Sequence, residues 1–322
     1  MQTPTTPHAS KAALITAFAA IYLVWGSTYL AIRVVVETLP PFLSGAFRFL
    51  VAGAALIAFL AWRGVPLPTR AQWQHATVTG LLLLVGGNGL VVWAEKTIPS
   101  GLTALLIALT PVWFALLDWL RPAGVRPQVK TVVGIVVGLG GVILLVRPQG
   151  PATHTASHWL GALAILAAGI SWASGSLYSK YKPNNASPWM NSAAQMICGG
   201  AGLLMLGLLC GEPFTTDWSH IIGRSLIALG YLIVFGSWIG FSAYVYLLKY
   251  STPSRVSTYA YVNPVIALFL GWLLLDEIVT AQMIWGALVI VTGVVIITMS
   301  PKVTSPIVQG ARRQVARLLA LW

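Results

Sequence analysis

The chain has 322 residues, of which 57% are hydrophobic and only 8% charged, with a mean hydropathy of +0.81. Soluble domains carry roughly 25% charged residues, so most of this surface has to face lipid rather than water. A formal charge of +12 would point to nucleic acid in a soluble protein; here it asks which side of a membrane the cations occupy, and no nucleic-acid partner is expected.

A membrane span needs about 20 mostly apolar residues. Ten such segments follow one another, at 13–35, 42–62, 75–94, 100–120, 129–147, 159–180, 189–210, 225–248, 256–275 and 281–300. The fold expected is therefore all-α and integral to a membrane. The first run is too long for a signal-peptide core and is read as uncleaved. It is unusual in placing Trp25, Gly26, Ser27, Thr28 and Tyr29 at mid-depth and in closing on Arg33. The second run carries Arg48 about seven residues in, roughly 10 Å along a helix. The third holds Asn88 and Trp93 and runs into Glu95. The fourth and ninth contain Pro111 and Pro264. The fifth has sixteen residues between Lys130 and Arg147, and is kept because flanking cations can snorkel to the interface. The seventh carries both cysteines, Cys198 and Cys210; twelve residues of helix, about 18 Å, separate them beyond disulfide reach. The eighth holds Trp238 and Tyr244.

Ten spans return both ends to one side. That side receives 14 of the 19 Lys and Arg residues, the other side only Lys96, Arg147 and Arg224, while Arg33 and Arg48 fall within spans. Basic loops stay in the cytoplasm, so both termini are expected there. The tail ARRQVARLLALW (311–322) reads either as a basic amphipathic helix on the inner leaflet or as disorder.

The two halves repeat. TPVWFALLDW (110–119) matches NPVIALFLGW (263–272) at an offset of 153, and Lys96 falls on Lys249 at the same offset. GVILL (141–145) matches GVVII (293–297), and LVWGSTYLAIR (23–33) matches ISWASGSLYSK (170–180), so that Trp25 falls on Trp172, Ser27 on Ser174 and Arg33 on Lys180. Five spans per half is an odd number, so the halves point in opposite directions. Inverted repeats mark secondary transporters, with the binding site near the midplane between them.

These features nominate a site. Trp25, Tyr29 and Arg33 form one helical stripe, matched by Trp172, Ser176 and Lys180. Polar groups in spans face protein or a wet cavity, so Ser27, Thr28, Tyr29 and Ser174 are expected to line a path with a cation near each mouth. Arg33 and Lys180 read equally as interface anchors. Pro111 and Pro264 free the carbonyls of Ile107 and Ala260, with Thr110 and Asn263 placed to satisfy the breaks. Tyr259 and Tyr261 flank the second break. Asn88, Trp93, Trp238 and Tyr244 are further candidates. Arg48 needs a partner: Glu95 and Glu37 are candidates, and a structural ion pair and a substrate contact both stay open. Glu95 is the nearest approach to a proton-coupling carboxylate. The glycines of spans five and ten are read as packing within each half, with a dimer seam as the alternative.

WGSTYLAIR, NGLVVWAEKTIPSG, ALTPVW, SWASGSLY and YAYVNPV resemble the EamA family of the drug/metabolite transporter superfamily, and within it the YedA-type inner-membrane exporters. The resemblance covers about residues 13 to 300. It implies two inverted five-helix EamA repeats, here 13–148 and 159–300. A cytoplasmic tail of residues 1–12 precedes them and a basic tail of 301–322 follows. It also implies a central cavity and ATP-free export of small metabolites, often amino acids, or of toxic compounds. The family usually carries Glu in the turn after the fourth and ninth helices; the ninth is followed by Asp276-Glu277, but the fourth by RPAGVRP.

The expectation is a secondary exporter of small amphipathic or zwitterionic solutes in a bacterial-type inner membrane, monomeric or weakly dimeric. An anion, nucleotide-sugar or phosphate exchanger and a non-transporting sensor are the rivals. No G-x4-G-K-[ST] loop and no H-E-x-x-H pair occurs, so no ATP, other cofactor, metal or enzymatic activity is expected.

Overall fold

The computed structural model describes residues 10–120, 129–146, 156–182, 184–251 and 253–298. The expectations for the 301–322 tail and for the RPAGVRP turn lie outside the described residues. Every regular element among the described residues is helical. Seven helices are long and apolar enough to cross a membrane: α1 (Lys11–Val35), α2 (Pro41–Trp62), α3 (Arg70–Ala94), α4 (Ser100–Leu120), α6 (Ala156–Tyr181), α7 (Pro188–Leu209) and α8 (Gly223–Tyr250). Three shorter apolar helices complete the set, α5 (Val129–Val146), α9 (Tyr259–Leu275) and α10 (Ala281–Thr298). The ninth expected span is shorter because its helix is interrupted at Ser257 and Thr258, where a turn separates Pro253–Val256 from α9.

Local chemistry sets the helix starts. Ser10 caps α1 by accepting from the Ala13 N–H at 3.1 Å. Thr69 and Gln72 form a reciprocal capping box at α3, and Ser187 caps α7 ahead of Pro188. Two helices are capped from the opposite half of the chain. Glu212 accepts from the N–H groups of Phe42 (3.0 Å) and Leu43 (2.8 Å) at the start of α2. Glu277 accepts from Ser100 N (2.9 Å), Ser100 Oγ (2.8 Å) and Gly101 N (3.1 Å) at the start of α4. A carboxylate there satisfies orphan amides and meets the positive end of the helix dipole. Glu277 is delivered by a tight turn in which Asp276 takes the left-handed conformation, φ 53°, and the Glu277 N–H bonds the Gly271 carbonyl.

Packing joins the halves rather than separating them. α2 lies along α7, and α5 along α10. The α5–α10 seam corrects the reading of its glycines as packing within each half. A Cβ on Gly141 would come 2.7 Å from Ile290, and one on Gly293 would come 2.6 Å from the Gly138 backbone nitrogen. Without side chains there, the two backbones close on each other, the contact small residues provide between helices in lipid. The first helix of each half packs against the third and fourth of the other: α1 on α8 and α9, α6 on α3 and α4. Large apolar side chains such as Ile15, Leu23, Trp62, Val136, Ile143 and Phe269 are exposed on the outside of the bundle, where lipid accepts them.

Candidate functional site

The equivalent tryptophans of the two halves meet. Trp25 of α1 and Trp172 of α6 pack edge to face, 5.4 Å between ring centroids at 81°. These two residues occupy matched positions of the sequence repeat, so the two halves meet at this contact. Tyr244 lies 5.0 Å from each ring, and Tyr259 5.2 Å from Trp25. The polar edges are satisfied inside the cluster. Trp172 Nε1 donates to Tyr244 Oη at 2.9 Å, Ser176 Oγ shares a 2.6 Å hydrogen bond with the same hydroxyl, and Trp25 Nε1 donates to the Gly236 carbonyl at 3.4 Å.

Both third helices are wound as wide π-helix where they pass this contact, over Leu81–Gly89 in α3 and Leu232–Phe241 in α8. Nothing in the periodicity of these apolar runs announces it, and π-helix is found frequently at functional sites. Each stretch presents a glycine to the tryptophan of the other half. A Cβ on Gly87 would stand 2.8 Å from Trp172, and one on Gly240 would stand 2.6 Å from Trp25 Nε1. Gly87 and Gly240 are 153 residues apart, the offset of the repeat. That recurrence was the available signal for both.

Between the halves lies a cavity with about 630 Å³ of non-atom space, counting its opening. The first half contributes Trp25, Thr28, Tyr29, Arg48, Phe49, Asn88 and Thr110, and the second Trp172, Gly236, Phe241 and Tyr259. Phe49, Phe241 and Gly236 escaped the sequence reading, because an apolar residue in an apolar span carries no contrast.

Arg48 is 4% exposed and corrects the expected pairing with Glu95 or Glu37. Its Nε donates to Ser237 Oγ at 2.7 Å, and the guanidinium lies 4.6 Å from the centre of the Phe49 ring. Glu37 is paired with Arg224 instead, and Glu95 sits at the end of α3 beside Arg33. The face of α2 that carries Arg48 is turned toward α8, where Ser237 stands. Asn88 Oδ1 is buried without a hydrogen-bond partner. The cavity wall thus offers a cation with no facing carboxylate and an acceptor with no donor. Unsatisfied polar groups in a dry interior are costly.

The remaining candidates are sorted by geometry. Ser27 bonds Val24 O (2.7 Å) and Tyr231 Oη (2.6 Å), and Ser174 bonds Ile170 O (2.8 Å); both stand outside the lining, their hydroxyls satisfied by their own helix and, for Ser27, by α8. Trp93 and Trp238, each 36% exposed, are on the outer surface of the bundle. Tyr244 and Ser176 support the tryptophans from behind. The Tyr261 side chain lies outside the described residues. At Pro111 the helix breaks at Ala108 and Leu109, and Thr110 Oγ1 donates to the freed Ile107 carbonyl at 2.6 Å. At Pro264 the helix runs on; Asn263, its amide nitrogen turned toward them, donates to the carbonyls of Tyr22 (3.1 Å) and Tyr259 (3.2 Å) rather than to Ala260. The cations of the two stripes stand at opposite ends of the bundle. Arg33 lines a pocket with Glu37, Arg224 and Glu277, and Lys180 one with His75, Asn184 and Lys249. Among the described residues no cluster of His, Cys, Asp and Glu could hold a metal ion.

The EamA-like transporter family matches residues 11–147 and 159–299, once per half. The chain is 38% identical to the "Uncharacterized inner membrane transporter YedA" of Escherichia coli (strain K12), over 92% of this chain and 96% of that one. It is 26% identical to the "Probable amino-acid metabolite efflux pump" of the same organism, over 86% and 91%. It is 25% identical to the "Uncharacterized transporter YvbV" of Bacillus subtilis (strain 168), over 96% and 98%. A solved crystal structure that is 23% identical shares the fold with a TM-score of 0.65, covering 90% of this chain and 99% of that one. The chain belongs to the EamA-like transporter family and is a multi-pass membrane transporter, not an enzyme.

Proposed function

We propose that the protein is a secondary transporter that exports small organic metabolites bearing a carboxylate, amino-acid-like or amphipathic, across the inner membrane without ATP. Ten transmembrane helices form two inverted five-helix repeats with both termini cytoplasmic, and alternating access arises as one repeat rocks against the other around the Trp25–Trp172 contact. The basic-residue asymmetry and the meeting of repeat-related residues at one contact support this architecture.

The observation that carries the substrate class is the solitary Arg48. A buried guanidinium without an acid is paired most simply by a ligand carboxylate, which it binds in fork geometry. Asn88 Oδ1 suits a donor on the same solute, and Phe49, Phe241, Trp25, Trp172 and Tyr259 suit its apolar body. An exchanger of phosphate or nucleotide sugars would call for several converging cations, and Arg48 is the one cation in the described lining. One relative's name, an amino-acid metabolite efflux pump, agrees with the reading.

Proteoliposomes loaded with unlabelled amino acids and given labelled ones outside, with no ATP, test it. Counterflow of at least one carboxylate-bearing solute is expected. Absence of flux for every such solute overturns the reading and favours the sensor, and strict dependence on ATP overturns the ATP-free mechanism.

A further inference from the structure

The two stripe cations make the same bond at opposite ends of the molecule. Arg33 Nη1 donates to the backbone carbonyl of Glu95 at the end of α3. Lys180 Nζ donates to the backbone carbonyl of Leu248 at the end of α8, at 2.9 Å, and also to that of Ser251 at 2.7 Å. Glu95 and Leu248 are repeat equivalents, 153 residues apart. In each half, then, a cation on the first helix latches the end of the third.

The latches differ in one side chain. At the Lys180 end the position is leucine, 2% exposed; at the Arg33 end it is a glutamate, 0% exposed. Leucine shows that an apolar residue satisfies the packing. Both oxygens of the Glu95 carboxyl are buried and lack any hydrogen-bond partner, whereas Glu37, Glu212 and Glu277 are all bonded. An ionised carboxylate in that setting is far more costly than a neutral acid. Glu95 is faced by Tyr29 and Arg33 from α1 and by Glu277 from the turn after α9, with Lys96 next to it on its own segment. Val91, one turn back on α3, and Tyr29 line the cavity, while Arg33 and Glu277 line the pocket at the outer end. Glu95 therefore stands between the two spaces.

We propose that Glu95 is a proton-binding site whose protonation gates the outer end, closed with the neutral acid and open with the carboxylate. With the carboxyl protonated, Arg33 holds the backbone carbonyl, the contact seen here, and the outer end is closed. Loss of that proton to water in the outer pocket leaves a carboxylate that draws Arg33 off the carbonyl, and the latch opens; protonation from outside closes it again. This rests on the transport reading and on its orientation.

The test labels Ile32→Cys, which lies on the cavity side of Arg33, in the full chain with Cys198→Ala and Cys210→Ser. A membrane-impermeant maleimide is applied to intact spheroplasts, and the rate is divided by that of Phe214→Cys, an 89% exposed position, to cancel thiol ionisation. The ratio is expected to rise at least about threefold as external pH goes from about 5 to about 8, across the range a buried carboxyl can reach. Glu95→Gln, and independently Glu95→Leu, which copies the matched position, should hold the ratio at its low-pH value throughout. A flat ratio in the parent, or the same rise in either variant, overturns the proposal. Counterflow that persists with a flat ratio removes the proton site alone; a pH-dependent ratio without any counterflow removes the transport reading alone.

Discussion

A guanidinium buried without a carboxylate weakens a protein unless something binds it, and Arg48 is such a residue. Replacing a buried, unpaired charge by a neutral chain of similar shape relieves desolvation. Arg48→Gln should therefore melt at or above the parent temperature in detergent, yet lose about tenfold or more in counterflow, the worth of a charged hydrogen bond to ligand. A fall in melting temperature with counterflow intact would mark Arg48 as structural. The glycine facing Trp25 makes a second test. Gly240→Ala puts a Cβ 2.6 Å from the indole nitrogen and should cost about 1–3 kcal/mol by overpacking. Gly230→Ala, with nothing within 4 Å, should gain up to about 1 kcal/mol from helix propensity. Equal melting shifts in the two would contradict the interlock. At this scale the sequence was informative where a residue recurred: Trp25, Trp172 and Thr110, reached by repetition or by a proline next door, line the cavity. It misdirected at Ser27 and Ser174, because a hydroxyl in a span can satisfy itself on a carbonyl of its own helix and need not face a cavity.

Helices in this molecule are held by partners distant in sequence. Glu277 caps α4 across 177 residues, so Glu277→Ala should destabilise by about 1–2 kcal/mol, the worth of an N-terminal cap with favourable dipole placement. Glu277→Gln, which keeps a side-chain acceptor, should recover part of that, and thermal melting in detergent measures both. No difference between Glu277→Ala and parent would contradict the cap. Helix positions were legible from hydropathy, since lipid demands long apolar runs. The winding of α3 and α8 into π-helix was not, because widening a helix leaves its composition unchanged. Nor was the α5–α10 partnership: glycines advertise a close contact without naming the helix that makes it. The break of the fourth helix at Pro111 was legible, but its counterpart fell about two turns before Pro264, at Ser257 and Thr258, and the proline itself sits inside a continuous helix.

The whole molecule is an interlocked pair of halves, and the account depends on that interlock enclosing a path between two aqueous faces. Hydropathy and internal repetition made an all-helical membrane chain of two repeats legible, and the inverted arrangement with a central site is the reading proposed from them. What they left open was which polar residues meet there, since that follows from helix rotation about axes that apolar spans do not fix. The most direct measurement is the accessibility of the cavity from each side. Thr28, 6% exposed, lines the cavity beside Trp25. In a chain lacking Cys198 and Cys210, Thr28→Cys is treated with a membrane-impermeant maleimide in right-side-out and in inverted vesicles. Alternating access predicts reaction from both sides, each slowed by a transported carboxylate solute, while Leu23→Cys on the exposed apolar surface, 65% exposed, stays unreactive in lipid. Reaction from neither side, or from one side only under every condition, would contradict the account.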